Sequence, residues 1–422
     1  MSDQHLKFSS LARISIFFMA IFFSTNAFGQ RIHSDSQVIL DNQKNPDIIE
    51  INQLWKDYLA SSPDSLYNNP HWNKTEKEKF SSYDLLRSEG GLRLYSLAKD
   101  FSAVKNLVLS VKPIDDRHYD IHSMYYWMNL NDCPYILCTT HVLAFRDKSG
   151  KFVLGNWLPY YSRNWKTVNE GVITFHYQEY DRNNKKIKKV KEFLAFLDRE
   201  FNVKIDHLDI FISNGFSQTQ RLKGFGYDAS ETGVSDKDDL GATTDIDNNI
   251  IYSNSTMGEY YQHEMMRLII PKYRNAHPLL LNGLAEYYSD TAVMRGVSFQ
   301  EHFRRLDKFL GEHPDINLKE FDNFDSGNLT ESNYLIGMVI IKLINDRCGH
   351  QKILEALQTV HTDDDLRNFI NKELKINVDD MDSVLRALIK HYASNGFRGR
   401  QWRTWQVQWS TEPENRGIMP IL

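Results

Sequence analysis

"YYQHEMMRLIIP", residues 260–271, is the stretch whose reading decides the fold. Residues four apart share one face of an α-helix, so His263 and the side chain at position 267 are expected to stand together. In the pattern H-E-x-x-H, two imidazoles on that face hold a metal and the glutamate between them serves as a base. Here the fifth letter is Arg267. Three readings follow: a metal site rebuilt around a cation, an unorthodox metal site, or an ordinary exposed Glu264–Arg267 pair worth less than about 1 kcal/mol.

The surroundings of this stretch are ordered. Upstream, Val172 to Tyr180 reads as a strand and Lys185 to Phe201 as a helix with apolar Ile187, Val190, Phe193, Leu194 and Leu197. "HLDIFIS" from His207 and "NNIIYSN" from Asn248 read as strands, and the polar run between Ser213 and Asp247 as a mobile surface loop. Downstream, "HPLLLNGLAEYYSDTAVM" from His277 reads as a helix and "ESNYLIGMVIIKLINDRCGH" as a strongly amphipathic one. "ILEALQTVH", "DDLRNFINKEL" and "VDDMDSVLRALIKHYA" continue the helical series to Gly396.

The first part of the chain has a different texture. After a helical pattern around "IEINQLWKDYLASS" come "KNLVLSVKPID", "YDIHSMYYWMNL" and "YILCTTHVLAFRDKSGKFVLGNWLPYY", rich in β-branched and aromatic residues. Asp147 to Lys151, with Gly150, reads as a hairpin turn. The expected fold class is α+β: an N-terminal antiparallel-sheet domain over residues 30–166, then a mixed-sheet plus helical domain over 167–393, with a docked tail over 394–422. Cys133 and Cys138, five apart on one strand, would face opposite sides, although a turn at Asp132 to Pro134 would bring them together. Cys348 reads as a buried thiol at a helix end capped by Gly349.

Lys7 and Arg13, the apolar run "ISIFFMAIFF" and the small residues Ala27-Phe28-Gly29 read as a secretory signal peptide over residues 1–29, which places the mature chain in the periplasm or outside the cell. Its apolar core is too short to span a bilayer, which takes about 20 residues. The net charge of −5 becomes one unit more negative without this segment, which argues against nucleic acid as a partner. The basic run "RNNKKIKKVKEF" lies on a helical pattern and reads as a solvated face.

"NGLAEYY", from Asn282, resembles the N-E-G-x-A-E-Y element of the gluzincin zinc peptidases, and Tyr334-Leu-Ile-Gly337 resembles the Y-x-x-G helix that follows it. Residues 170–393 are similar to this family in element order, most closely to its peptidase MA-like branch; the N-terminal part lies outside the resemblance. The resemblance implies that His263 matches the first zinc ligand, Glu264 the general base and Tyr334 the group that steadies the tetrahedral intermediate. Arg267 stands where the second histidine belongs, and a guanidinium has no lone pair for a metal. Asn282 stands where the ligand glutamate belongs, and the Arg267 to Asn282 interval is shorter than the family's.

The resemblance therefore implies a metallopeptidase homologue that has lost zinc catalysis, carries no cofactor, and uses Arg267 and Asn282 in a cleft for a peptide, protein or glycan. Arg267 is expected to pair with Glu264 and fill the metal's space. The alternative is an active zinc peptidase with His277, His263 and Glu286 as unorthodox ligands.

Overall fold

The computed structural model describes residues 31–399, leaving out 35, 62–68, 81–84, 89–103, 129–132, 229–241, 289–292, 295–296, 323, 325 and 327–329. The expected signal peptide, Asp132, most of the C-terminal tail and part of the 213–247 connection lie outside the described residues. The chain divides into two compact units: one runs to Tyr161 and includes Gln220–Gly233, and the other takes Ser162–Thr219 and everything from Val234 onward. The fold is α+β, with a largely antiparallel sheet in the first unit and a mixed sheet plus helices in the second.

In the first unit β1 (Arg31–Ser34) runs parallel to β2 (Lys105–Pro113). Then β2, β3 (His118–Met128), β4 (Pro134–Arg146) and β5 (Phe152–Gly155) form an antiparallel meander. The turn before β5 is the one expected from Asp147 and Gly150: the Gly150 N–H donates to Asp147 O, and glycine tolerates its φ of +83°. Helix α1 (Ser36–Asn42) leads to α2 (Pro46–Leu59), which starts where Asn45 accepts the Asp47 N–H and Pro46 opens the first turn. Its Ile48, Ile51, Leu54, Trp55 and Tyr58 are buried in one stripe against the sheet core. Beneath them a polar ladder crosses the strands: Trp55 Nε1 donates to Asn106, Asn106 to Ser123, and Ser123 meets Thr140, all at 3.1–3.2 Å. After β5 the segment "NWLPYY" forms a short helix, α3 (Trp157–Tyr161), rather than continuing as strand.

Glu76 belongs to this unit. Its carboxylate accepts from Asn156 N, Asn156 Nδ2 and Trp72 Nε1. Burial raises its pKa to about 7, against the pull of those hydrogen bonds. A carboxyl whose folded pKa exceeds its unfolded value near 4.5 binds its proton more tightly when folded. Its contribution to stability is therefore complete below that value and is lost as the pH rises through about 7. Glu76→Gln is expected to flatten the pH dependence of this unit's unfolding midpoint between about pH 5 and 8. An unchanged slope in pH-resolved denaturation would rule the assignment out.

The second unit opens with the hairpin β6 (Lys166–Glu170) and β7 (Ile173–Tyr177), turned at Gly171. Helix α4 (Asn184–Phe201) then crosses to β8 (Leu208–Ser213), parallel to β7. Ile173, Phe175 and Tyr177 alternate into the core that α4 fills with Ile187, Val190, Phe193 and Leu197. An edge hairpin of β9 (Thr243–Asp245) and β10 (Ile250–Asn254) completes the sheet, β10 parallel to β8.

The Ser213–Asp247 connection is not simply a loop. It contains α5 (Phe216–Lys223) and a strand, Phe225–Asp228, that pairs with β4 in the first unit's sheet. Phe216, Leu222 and Phe225 are buried, which is the apolar content that organises the segment.

Candidate functional site

The stretch that opened the reading folds as a short helix, α6 (Gln262–Met266), which tightens into a 3₁₀ turn over Arg267–Ile269. The expected longer helix cannot form, because Pro271 has no N–H to donate to Arg267 O; Ile270 N bonds that oxygen instead. Helix α7 (Pro278–Tyr287) follows, with Pro278 in its first turn and His277 as its N-cap. After α8 (Phe299–Glu312) comes α9 (Ser332–Cys348). The sequence suggests that α9 is strongly amphipathic, but Leu335, Ile336 and Met338 to Ile341 are all buried, so it is a central helix enclosed on every side. Helices α10 (His350–Thr359), α11 (Asp363–Leu374) and α12 (Met381–Asn395) close the unit. Gly349, at φ +82°, caps α9 as expected, beside a Cys348 that is only partly buried; Cys133 is exposed and Cys138 buried.

Helices α7 and α9 cross at Gly283 and Gly337. A Cβ on Gly337 would lie 2.8 Å from Gly283 Cα, and one on Gly283 would overlap the Gly337 carbonyl. Backbones this close leave room only for glycine. The crossing sets Tyr334, one turn before Gly337, against His263, with ring centroids 5.7 Å apart.

At His263, Nδ1 donates to Glu286 Oε1 at 2.8 Å, an interaction between α6 and α7 with both side chains largely enclosed. Burial works against a charged imidazole, but Glu286, and more distantly Glu264, outweigh it and hold the pKa above its ordinary value. Glu264 is buried as well; the Thr244 hydroxyl on the edge strand β9 lies 2.7 Å from its carboxylate and 2.9 Å from its backbone oxygen. The Tyr334 phenol is pushed up to about 12, by burial first and by Glu331 next, so it keeps its proton.

Arg267 does pair with Glu264, but at arm's length. Its Nε stands 3.8 Å from Glu264 Oε2, an ion-pair distance without a hydrogen bond, while the Thr244 hydroxyl lies 2.7 Å from the same oxygen. Among the described residues the guanidinium has no hydrogen-bond partner, and its buried Nε is unsatisfied. Thr244 was missed in the sequence: it precedes the readable "NNIIYSN" strand, and nothing about "TTD" marks it.

His263, Arg267 and Asn282 line one cavity of about 150 Å³, together with Arg274 and an apolar wall that includes Ile270, Leu281 and Ala285. Glu264 and Tyr334 stand outside the wall. The alternative donor set is not assembled: His277 Nε2 bonds Asp363 at 2.8 Å and its Nδ1 accepts the Leu279 N–H, so it is a helix cap and not a partner of His263 and Glu286. Among the described residues no three His, Cys, Asp or Glu side chains group as metal ligands. Around His263, Glu286 holds Nδ1 and so orients Nε2, but the residue one helical turn on, Arg267, is a guanidinium with no lone pair for a metal.

The second unit is thus a mixed sheet with helices that carries a cavity lined by His263, Arg267, Arg274 and Asn282. Comparison with family models, curated proteins and solved structures gives no match. Among the described residues no helix is long and apolar enough to cross a membrane.

Proposed function

We propose that the protein is an exported homologue of the gluzincin peptidases that has lost zinc catalysis and acts as a binding protein for a peptide, protein or glycan. The observation that carries this reading is the cavity at His263, whose polar wall includes Arg267 and Asn282, the two positions at which the motif departs from a ligand set. A base needs an activated water to act on, and Glu264 has instead a threonine hydroxyl and a distant guanidinium. What remains at the site is recognition chemistry: donors, an apolar wall and an enclosed histidine.

The test is elemental analysis and peptide hydrolysis on protein purified from its host without chelators. The expected result is no stoichiometric zinc, no hydrolysis, and a mature N-terminus near Gln30. One zinc per chain, with a hydrolysis that Glu264→Gln abolishes, would overturn the loss of catalysis; an intact Met1 in a cytosolic fraction would overturn export.

A further inference from the structure

We propose that the cavity holds a carboxylate attached to a short aliphatic group, with Arg267 as the main partner of the carboxylate. This inference rests on reading the cavity as a binding site. The polar side chains in its wall are His263, Arg267, Arg274 and Asn282, and no carboxylate is among them. The two nearby acids are turned to other tasks: Glu264 is held by Thr244, and Glu286 by His263. A cationic ligand would meet two guanidinium groups and no carboxylate in the wall.

Arg267 carries the specificity. Its guanidinium presents five N–H donors in a planar fork, hydrogen-bonds no described residue, and reaches Glu264 only at an ion-pair distance of 3.8 Å. Such a fork matches two carboxylate oxygens side by side. Arg274 is mostly exposed and already pairs with Asp247 at 2.7 Å, so it adds field but little geometry. The Asn282 amide, on the facing helix, supplies a neutral donor.

The rest of the wall, including Ile270, Leu281 and Ala285, is apolar and suits an aliphatic group. It also disfavours a phosphate, whose remaining oxygens would lie against hydrocarbon. The volume of about 150 Å³ is below the roughly 300–1,000 Å³ of drug-sized sites, so the cavity takes one end of a ligand or a small acid. Two sources share this chemistry: the C-terminal residue of a peptide and a free short-chain acid.

The experiment is calorimetric titration of the full mature chain with four probes: a pentapeptide ending in leucine as the free acid, the same peptide as its C-terminal amide, N-acetyl-leucine, and inorganic phosphate. The acid is expected to bind at least about tenfold more tightly than the amide, and Arg267→Gln to remove most of that difference. Peptide acid binding far more tightly than N-acetyl-leucine identifies a chain end, and equal binding identifies a small acid; either supports the proposal. Equal binding of acid and amide, binding of neither, or binding of phosphate alone overturns it. These outcomes are distinct from failure of the functional reading, which shows as zinc and hydrolysis in the same preparation.

Discussion

Alanine at Gly337 is expected to destabilise the second unit by about 3 kcal/mol or more, at the upper end of what overpacking costs. For a unit of this size that is a fall in melting temperature of roughly 6–12 °C. The added methyl cannot be absorbed by a rotamer change, because what it meets is the backbone of Gly283 and Leu279. Helices α7 and α9 would have to separate, drawing Tyr334 away from His263. Gly283→Ala should cost a similar amount, and the double variant less than the sum, since one separation relieves both clashes. Urea unfolding followed by a probe within the second unit measures this, because two units need not melt together. A loss below about 1 kcal/mol in both single variants would mean that the helices are not in backbone contact.

The second large effect is at His263. With alanine there, the Glu286 carboxylate stays buried without its partner, and breaking a buried pair costs about 3–5 kcal/mol. Replacing both partners with apolar residues, His263→Phe with Glu286→Leu, should recover most of the loss, since the uncompensated charge goes with them. Glu286→Gln is expected to be the mildest change, because an amide can still accept from Nδ1. If His263→Ala costs under about 1 kcal/mol in the same denaturation series, the pair is solvated and the site is more open than its geometry implies.

The sequence disclosed the regular elements unevenly, for physical reasons. The longer strands were legible from their β-branched and aromatic content, as in β7, where Ile173, Phe175 and Tyr177 face α4, whereas the short β1, β6 and β9 were not. Helix α9 reads as strongly amphipathic in the sequence, but its run from Leu335 to Ile341 is buried throughout. The segment Phe216–Asp228 was hidden by its polar neighbours; only Phe216, Leu222 and Phe225 signal that it is buried. At the site, the helical spacing correctly puts His263 and Arg267 side by side, and Asn282 lines the same cavity. The partners of the two glutamates were not legible. The partner of Glu264, Thr244, comes from an edge strand three residues long, and that of Glu286 is His263, which the motif would assign to a metal.

The strand Phe225–Asp228 has a consequence for biosynthesis. It pairs with Cys138 to Thr140 of β4, yet lies beyond β6, β7, α4 and β8 in the chain. A ribosome adding roughly 5–20 residues per second would therefore have made β6, β7 and β8 of the second unit before the first unit's sheet could be completed. Until then that part of β4 waits as an open edge, with unpaired N–H and C=O groups of the kind that recruit foreign strands. The order of synthesis thus delays completion of the first unit's sheet until part of the second unit has been made, and a chain cut after Tyr161 would leave it one strand short.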